Sequence, residues 1–312
     1  MKIVIGTRGS QLALAQSGQV LNQIALLLPQ AELHLEVIKT VGDVLSAPGA
    51  PDGPLADPPQ GIFTRELDEA LLSGRIQGAI HSLKDVPTQL PAGIDYGAFL
   101  IREDPRDALV SNTGKKFYEL PAGSRVGTSS PRREAQIRAN RSDLMVLPLR
   151  GNVDSRLKKL KAGEMEAIIL ATAGLKRLGR EAEITELLSP ELMLPAPAQG
   201  VLCLTLRKED SFFFNALRPL DDRSTRICAM SERSFLRTLQ GGCRVPIGAL
   251  ASIEGETLFL SGVIANPNGE QMMRNDMKGS VNHPEELGDE LAKVFLRNGA
   301  QEILNGFGRS TW

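Results

Sequence analysis

"SRVGTSSPRREAQIRANRSDLMVLPLRGNV", residues 124–153, decides the fold. Residues 124–130 read as a short strand running into a turn of small, hydroxylated residues. Pro131 suits a first helical position, where its missing N–H is no loss, and Ser130 before it suits an N-cap. A helix is expected over 131–140, a strand over 144–149, and a helix over 154–161 after the "RGNV" turn. Beyond them "AIILA" (167–171) reads as a strand and "AGLKRLG" (173–179) as a short helix. Strands and helices in alternation make parallel sheets covered by helices.

The same rhythm runs through the first hundred residues. "KIVIG" (2–6) reads as a buried strand, 10–28 as a helix capped by Ser10, and "LHLEVIKTV" (33–41) as an alternating strand. A helix over 62–74 ends at Gly74, and a strand over 77–82 runs into "LKDVPT" (83–88). The stretch 46–61, "SAPGAPDGPLADPPQG", is rich in Pro, Gly and Asp and is expected to be a mobile surface loop. The last third breaks the pattern. A helix over 224–239 precedes strands near 246–254, 256–264 and 271–278, and a helix runs from about 285 to 297. Two α/β blocks followed by a small antiparallel α+β block are expected.

Bulk properties narrow the function. The 312 residues allow two or three domains, and 42% hydrophobic with 23% charged residues is ordinary for a globular chain. Aromatics at 4% are too few for broad base-stacking surfaces. No apolar run has the length of a membrane span, and the start lacks the pattern of a signal peptide, so a cytoplasmic, reducing setting is expected. Net charge is −1, yet residues 125–180 hold thirteen Lys or Arg against five Asp or Glu. Such a segment suits a polyanion: nucleic acid, or a small molecule with several carboxylates or phosphates.

The placement of the arginines favours the small molecule. Four turns from strand to helix carry one: "GTRGS" (6–10), "GTSSPRR" (127–133), "LRGNVDSR" (149–156) and "AGLKR" (173–177). A helix start presents unpaired N–H groups and partial positive charge, and a guanidinium adds a planar fork for a carboxylate. One such turn is often only a cap; four at strand ends point to an anion site. "HSLKDVPT" (81–88) sets Lys84 and Asp85 at another strand end. There they form either a surface ion pair or, in a basic cleft, an ionised carboxylate able to stabilise a cation or move a proton.

The three cysteines separate by context. Cys203 in "VLCLTL" and Cys228 in "RICAMSE" read as core. Cys243 follows two glycines and precedes Arg244, a setting that favours thiolate and close approach, and it is the nucleophile or attachment candidate. His34, His81 and His283 are scattered and there is no Cys-x-x-Cys, so no metal site is expected. Neither a Walker A nor a Gly-x-Gly-x-x-Gly sequence is present.

Taken in order, "GTRGSQLAL", "HSLKDVPT", "REDPRDALVS", "VGTSSPRR", "LRGNVDSRL", "AIILATAGLKRLG", "LPAPAQG" and "LQGGCRVPIGA" resemble the porphobilinogen deaminase (hydroxymethylbilane synthase) family over nearly the whole chain. The resemblance implies a transferase that joins four porphobilinogen molecules to a dipyrromethane primer, losing ammonia each time, and releases hydroxymethylbilane. It implies a thioether from Cys243 to that cofactor, and Asp85 as the carboxylate that stabilises the cation formed when ammonia leaves. It implies that Ser10, Ser82, Lys84, Thr128, Ser130, Arg132, Arg133 and Arg156 hold the cofactor, and that Arg8, Arg150, Arg177 and Gln199 hold substrate. Each pyrrole carries an acetate and a propionate, which agrees with the basic segment.

The resemblance further implies two periplasmic-binding-protein-like α/β domains with mainly parallel-core sheets, 1–100 with 200–217 and 105–199. A small α+β domain with a three-stranded antiparallel sheet, 222–312, would carry the cofactor loop. A monomer is implied, with product passed to uroporphyrinogen III synthase, and neither nucleic acid nor membrane as partner. Two positions depart from the family pattern: Val41 in "TVGD" and Gln60 in "PPQG" stand where basic residues are usual. The competing readings are a non-catalytic polyacid-binding protein of solute-binding architecture and a nucleic-acid binder. The first does not account for the glycine-flanked Cys243; the second predicts steep salt dependence, and the scarce aromatics and the arginines placed at turns count against it.

Overall fold

Ser10 and Ser130 do the same job at the mouths of two different sheets. The Ser10 side chain accepts the N–H of Ala13 at 3.2 Å, and that of Ser130 accepts the N–H of Arg133 at 3.5 Å. Each closes a helix start with the geometry its sequence predicts. The computed structural model describes residues 1–45, 61–239, 246–266 and 268–305. The expectation for the 46–61 loop, Gln60, Cys243 and Arg244 therefore lies outside the described residues, apart from Gly61.

In chain order the first elements are β1 (Lys2–Thr7), α1 (Gln11–Leu27), β2 (Glu32–Val37), α2 (Val41–Leu45), α3 (Arg65–Leu72), β3 (Gly78–Ser82) and β4 (Ile94–Phe99). Next come β5 (Asp107–Ser111), β6 (Arg125–Gly127), α4 (Pro131–Asn140), β7 (Met145–Leu147), α5 (Val153–Lys161), β8 (Ala167–Ala171), α6 (Thr172–Arg177) and β9 (Glu186–Leu187). The chain continues through β10 (Leu202–Arg207), α7 (Ser211–Leu217) and α8 (Arg223–Thr238). It ends with β11 (Ile247–Glu254), β12 (Thr257–Ala265), β13 (Met272–Ser280), α9 (Pro284–Arg297) and α10 (Ala300–Asn305).

The first unit comprises Met1–Glu103 and Val201–Arg226, the second Asp104–Gly200 and Ile227–Trp312. Within the first, the strands lie in the order β2-β1-β3-β10-β4. β1 is parallel to β2 and β3, and β10 is antiparallel to both β3 and β4. Within the second, the order is β7-β6-β8-β5-β9, with β6 parallel to β7 and β8 and with β5 antiparallel to β8 and β9. The two sheets share one plan: three parallel strands, one reversed strand, one edge strand. The reversed strand of each is reached only after the chain has left the other sheet, since β5 follows β4 and β10 follows β9. The second unit also holds the three-stranded antiparallel sheet β11-β12-β13. The mainly parallel sheets and the small antiparallel sheet agree with the fold expected from sequence.

Some elements differ from the sequence reading. The alternation of 33–41 does not stay extended: β2 stops at Val37, and the chain turns into α2 from Thr40. The Asp43 carboxylate accepts the Thr40 N–H at 3.2 Å and the Thr40 hydroxyl at 2.8 Å, and Thr40 Oγ1 accepts the Asp43 N–H at 3.2 Å, which closes the first turn of α2. The "VLCLTL" run is β10, buried on both faces in the interior of the first sheet. Cys203 and Cys228 are both buried, as expected.

Close packing explains two glycines. A Cβ on Gly288 in α9 would lie 2.2 Å from the Ser231 carbonyl oxygen of α8, so the two helices touch backbone to backbone there. A Cβ on Gly262 would lie 2.7 Å from the Phe235 ring, which stacks edge-on against Phe295 with centroids 5.2 Å apart.

One buried carboxylate sets a pH dependence of stability. Asp68 lies on the inner face of α3 beside Leu67 and Leu71. Burial, with the charges of Glu66 and Glu69 adding to it, pushes its carboxyl up to about 6. A carboxyl whose folded value exceeds its unfolded value contributes fully below pH 4, and that contribution is lost as pH rises through 6. Asp68→Asn should therefore match the parent near pH 4 and exceed its stability by about 2 kcal/mol at pH 8. Urea melts across that range check it; a difference that stays flat with pH contradicts the assignment.

Candidate active site

In the first unit, β1 and β3 are parallel neighbours, so their carboxyl ends open at the same edge. Arg8 leaves β1, and Asp85 sits in the single 3₁₀ turn Leu83–Asp85 that leaves β3. Arg8 Nη1 lies 3.6 Å from Asp85 Oδ2. The rest of the guanidinium is held elsewhere: Nε and Nη2 both donate to Asp43 Oδ1, at 3.1 and 2.8 Å. Its plane stacks on Phe63, 4.0 Å from the ring centroid. Phe63 lies flat against Gly42, where a Cβ would fall 2.1 Å from the ring.

Arg8 is thus fixed from two sides and offers its remaining edge to Asp85, whose side chain is 32% exposed. Burial alone would raise the Asp43 carboxyl, but hydrogen bonds and charge from Arg8 hold it below the usual range. His81 is buried, its Nε2 3.1 Å from Thr205 Oγ1, and burial together with Arg8 pulls it down to about 4. It is neutral at physiological pH and adds no charge to the cluster. Ser82 Oγ donates to Gln16 Oε1 at 3.2 Å, and Lys84 is half-buried in the same turn as Asp85. Ser10 caps α1, which leaves its O–H available as a donor. Asp43, Phe63, Gln16 and His81 were not singled out by sequence reasoning as site residues. A charged or aromatic residue near a strand end was the only available signal.

In the second unit, Thr128 and Ser130 follow β6, and Thr128 Oγ1 accepts the Ser130 N–H at 3.1 Å. Arg132 and Arg133, at the start of α4, are not displayed on the surface. Both are buried, and Asp107, fully buried, lies between them. Arg132 Nη1 is 2.8 Å from Asp107 Oδ2 and Arg133 Nη2 is 2.7 Å from Oδ1. Burial alone would raise the Asp107 carboxyl, but the two guanidinium charges outweigh it and hold the group far below the usual carboxylate range.

Arg156 uses Nε on the Gly151 carbonyl at 2.8 Å. Burial and the nearby Arg133 charge pull it down to about 10, still charged at neutral pH. Arg150 follows β7 and is partly buried. Arg177 Nη2 donates to the Gly200 carbonyl at 2.6 Å, and Gln199 Nε2 donates to Pro105 O at 2.8 Å and Asp107 Oδ1 at 2.9 Å.

The charge count around Asp107 is unbalanced. Arg132 and Arg133, with the charge of Arg156 beside Arg133, stand against one carboxylate; the buried Arg133 Nε has no hydrogen-bond partner, and Asp107 Oδ2 has only the ion pair with Arg132 Nη1 at 2.8 Å. A buried donor without an acceptor is costly. An anionic group from outside would satisfy it. Each unit by itself gathers its part of the expected set: Arg8, Ser10, Ser82, Lys84 and Asp85 in the first, and Thr128, Ser130, Arg132, Arg133, Arg150, Arg156, Arg177 and Gln199 in the second. Among the described residues no cluster of His, Cys, Asp or Glu could hold a metal ion, and no helix is long and apolar enough to cross a membrane.

Guanidiniums in excess at strand ends, with a carboxylate beside an arginine, are the equipment of a protein that handles a small molecule bearing several carboxylates. Comparison with known proteins gives the family. Residues 3–215 match "Porphobilinogen deaminase, dipyromethane cofactor binding domain", and residues 226–297 match "Porphobilinogen deaminase, C-terminal domain". The porphobilinogen deaminase of Carboxydothermus hydrogenoformans is 43% identical over 304 residues, 97% of this chain and 96% of that one. That of Roseiflexus sp. (strain RS-1) is 45% identical over 305 residues, 97% and 99% of the two chains. The chain belongs to the porphobilinogen deaminase family, enzymes of tetrapyrrole biosynthesis. Among solved structures, a putative methionine-binding lipoprotein from Bacillus subtilis aligns at 13% identity and a TM-score of 0.43, covering 70% of this chain and 89% of its own. The fold rests on the strand order itself.

Proposed function

We propose that this enzyme condenses four porphobilinogen molecules in turn onto a dipyrromethane primer, releasing ammonia at each addition, and then frees hydroxymethylbilane by hydrolysis. The observation that carries this reading is the excess of Arg132, Arg133 and Arg156 over Asp107, with Arg133 Nε buried and unpaired. Such a donor set fits a bound dipyrromethane, whose acetates and propionates would supply the missing acceptors. When attached, that group supplies a pyrrole carbon able to attack the next ring.

The chain's own residues take defined parts. Cys243 holds the primer through a thioether. Arg132, Arg133 and Arg156, with Ser10, Ser82, Lys84, Thr128 and Ser130, bind its side-chain carboxylates. Arg8, Arg150, Arg177 and Gln199 receive the incoming substrate. Asp85 faces the cation left on substrate when ammonia departs, lowers its energy by charge, and accepts the proton that must leave. Arg8, anchored by Asp43, stands 3.6 Å from Asp85 without closing it off. The same reading divides the chain into 1–100 with 200–217, 105–199 and 222–312, and places it in the cytoplasm as a monomer that hands its product to uroporphyrinogen III synthase.

Ammonia and tetrapyrrole measured together test the reading. Four ammonia molecules per tetrapyrrole are expected. Tight binding of porphobilinogen without ammonia would leave a polyacid-binding protein instead. Arg132→Leu and Arg150→Leu should each slow cofactor loading or elongation by at least about tenfold, since a bound carboxylate loses a charged partner. Unchanged loading and rate in both would make these arginines structural.

A further inference from the structure

Asp107 takes no part in the chemistry above, yet three of the proposed binding side chains meet on it. It opens β5 and is 0% exposed. Arg132 and Arg133 each reach one of its oxygens, and Gln199 Nε2 joins Arg133 on Oδ1. The other ends are fixed by backbone: Arg132 Nη1 also donates to Leu194 O at 2.7 Å, and Arg133 Nη1 to Ile169 O at 2.9 Å. Gln136 holds Leu194 in turn, donating to its carbonyl at 3.1 Å and accepting its N–H at 2.8 Å. A guanidinium is planar, so fixing one or two of its N–H groups fixes the direction of the rest.

We propose that Asp107 is a positioning residue. It orients Arg132 and Arg133, with Gln199 Nε2 spent on Pro105 O and Asp107 Oδ1 to brace the carboxylate, so that the unpartnered Arg133 Nε turns toward the carboxylates of a bound pyrrole. The proposal rests on the reading that these arginines hold pyrrole carboxylates. Asp107 does not itself touch the ligand, because two carboxylates would repel. It lowers the charge of the cluster by one while keeping the cluster cationic.

The test uses apo chains of the parent, Asp107→Asn, Arg132→Leu and Arg133→Leu, each checked for native circular dichroism at the assay temperature. Porphobilinogen is added and the gain of the two-pyrrole mass is followed over time. KM and kcat are then measured on whatever has loaded. For Asp107→Asn, loading about tenfold slower and KM about tenfold higher, with kcat within about threefold of the parent, is the expected split. Parent-like loading and KM in a folded Asp107→Asn chain, with the two arginine variants impaired, overturns the role of Asp107 alone. Parent-like behaviour in the arginine variants overturns the underlying reading instead.

A second measurement needs no variant. In the parent chain with ¹⁵N-labelled arginine, cofactor loading should shift the Arg133 Nε–H resonance and leave its Nη protons on Asp107 unmoved. Loss of the Asp107 contact on loading would overturn the proposal even if Asp107→Asn does not fold.

Discussion

Asp85→Asn yields a folded chain that still gains its cofactor mass but makes almost no product. The amide has the shape of the carboxylate, and the Asp85 side chain is partly exposed, so the substitution removes charge without opening a cavity. Its neighbour does not collapse: Arg8 stays bonded to Asp43 through Nε and Nη2 and stacked on Phe63. What disappears is the negative charge proposed to face the substrate cation and to accept its proton. Loss of one such group costs about 10²–10⁴ in rate. The measurement is single-turnover formation of enzyme–substrate intermediates by mass, beside the steady-state rate. Parent-like turnover would remove Asp85 from the chemistry. A variant that fails to load at all would instead give Asp85 a part in making the primer.

Cys243→Ser removes the proposed attachment point. The purified parent, weighed intact under denaturing and reducing conditions, is expected to exceed its chain mass by two linked pyrrole units, and the variant to show the chain mass alone. A thiol is a far better nucleophile than a serine hydroxyl at neutral pH. Without a fixed primer, growth has no anchored end, and the rate should fall by at least about 10²-fold. If the parent shows the bare mass, incubation with porphobilinogen should add the increment. Failure to add it would exclude a thioether cofactor and turn attention to simple polyacid binding.

Much of this architecture was legible in the residues. Capping serines and Pro131 marked helix starts because their chemistry acts within one turn. The inner parallel strands β1 and β8 announced themselves as apolar runs because both faces are covered, whereas half-exposed β2 alternates. What stayed hidden depends on partners far away in sequence. β10 reads as an apolar stretch and β5 lies in the motif "REDPRDALVS" with no strand read there, and nothing local says that each lies reversed inside its sheet. "TVGD" looked extended until Asp43 was seen folded back on Thr40. The site divides the same way. Arg8, Asp85, Arg132 and Arg133 stood out by motif, whereas Asp107 looked like an ordinary acid in "REDPRDALVS" because its burial between two arginines is a tertiary fact. The residues around Asp43 and Phe63 were missed for the same reason.

The reversed strand β10 has a consequence for synthesis. It lies between β3 and β4, which bond to it rather than to each other. A nascent chain emerging from the ribosome therefore holds β1 to β4 for about a hundred further residues before Leu202–Arg207 arrives to join them. Until then β3 and β4 present unpaired backbone edges and apolar faces to the cell, the condition under which growing chains associate wrongly. Folding of the first sheet must wait for synthesis of the whole second sheet, and a gene cut anywhere before residue 207 would leave both halves with an unfinished edge.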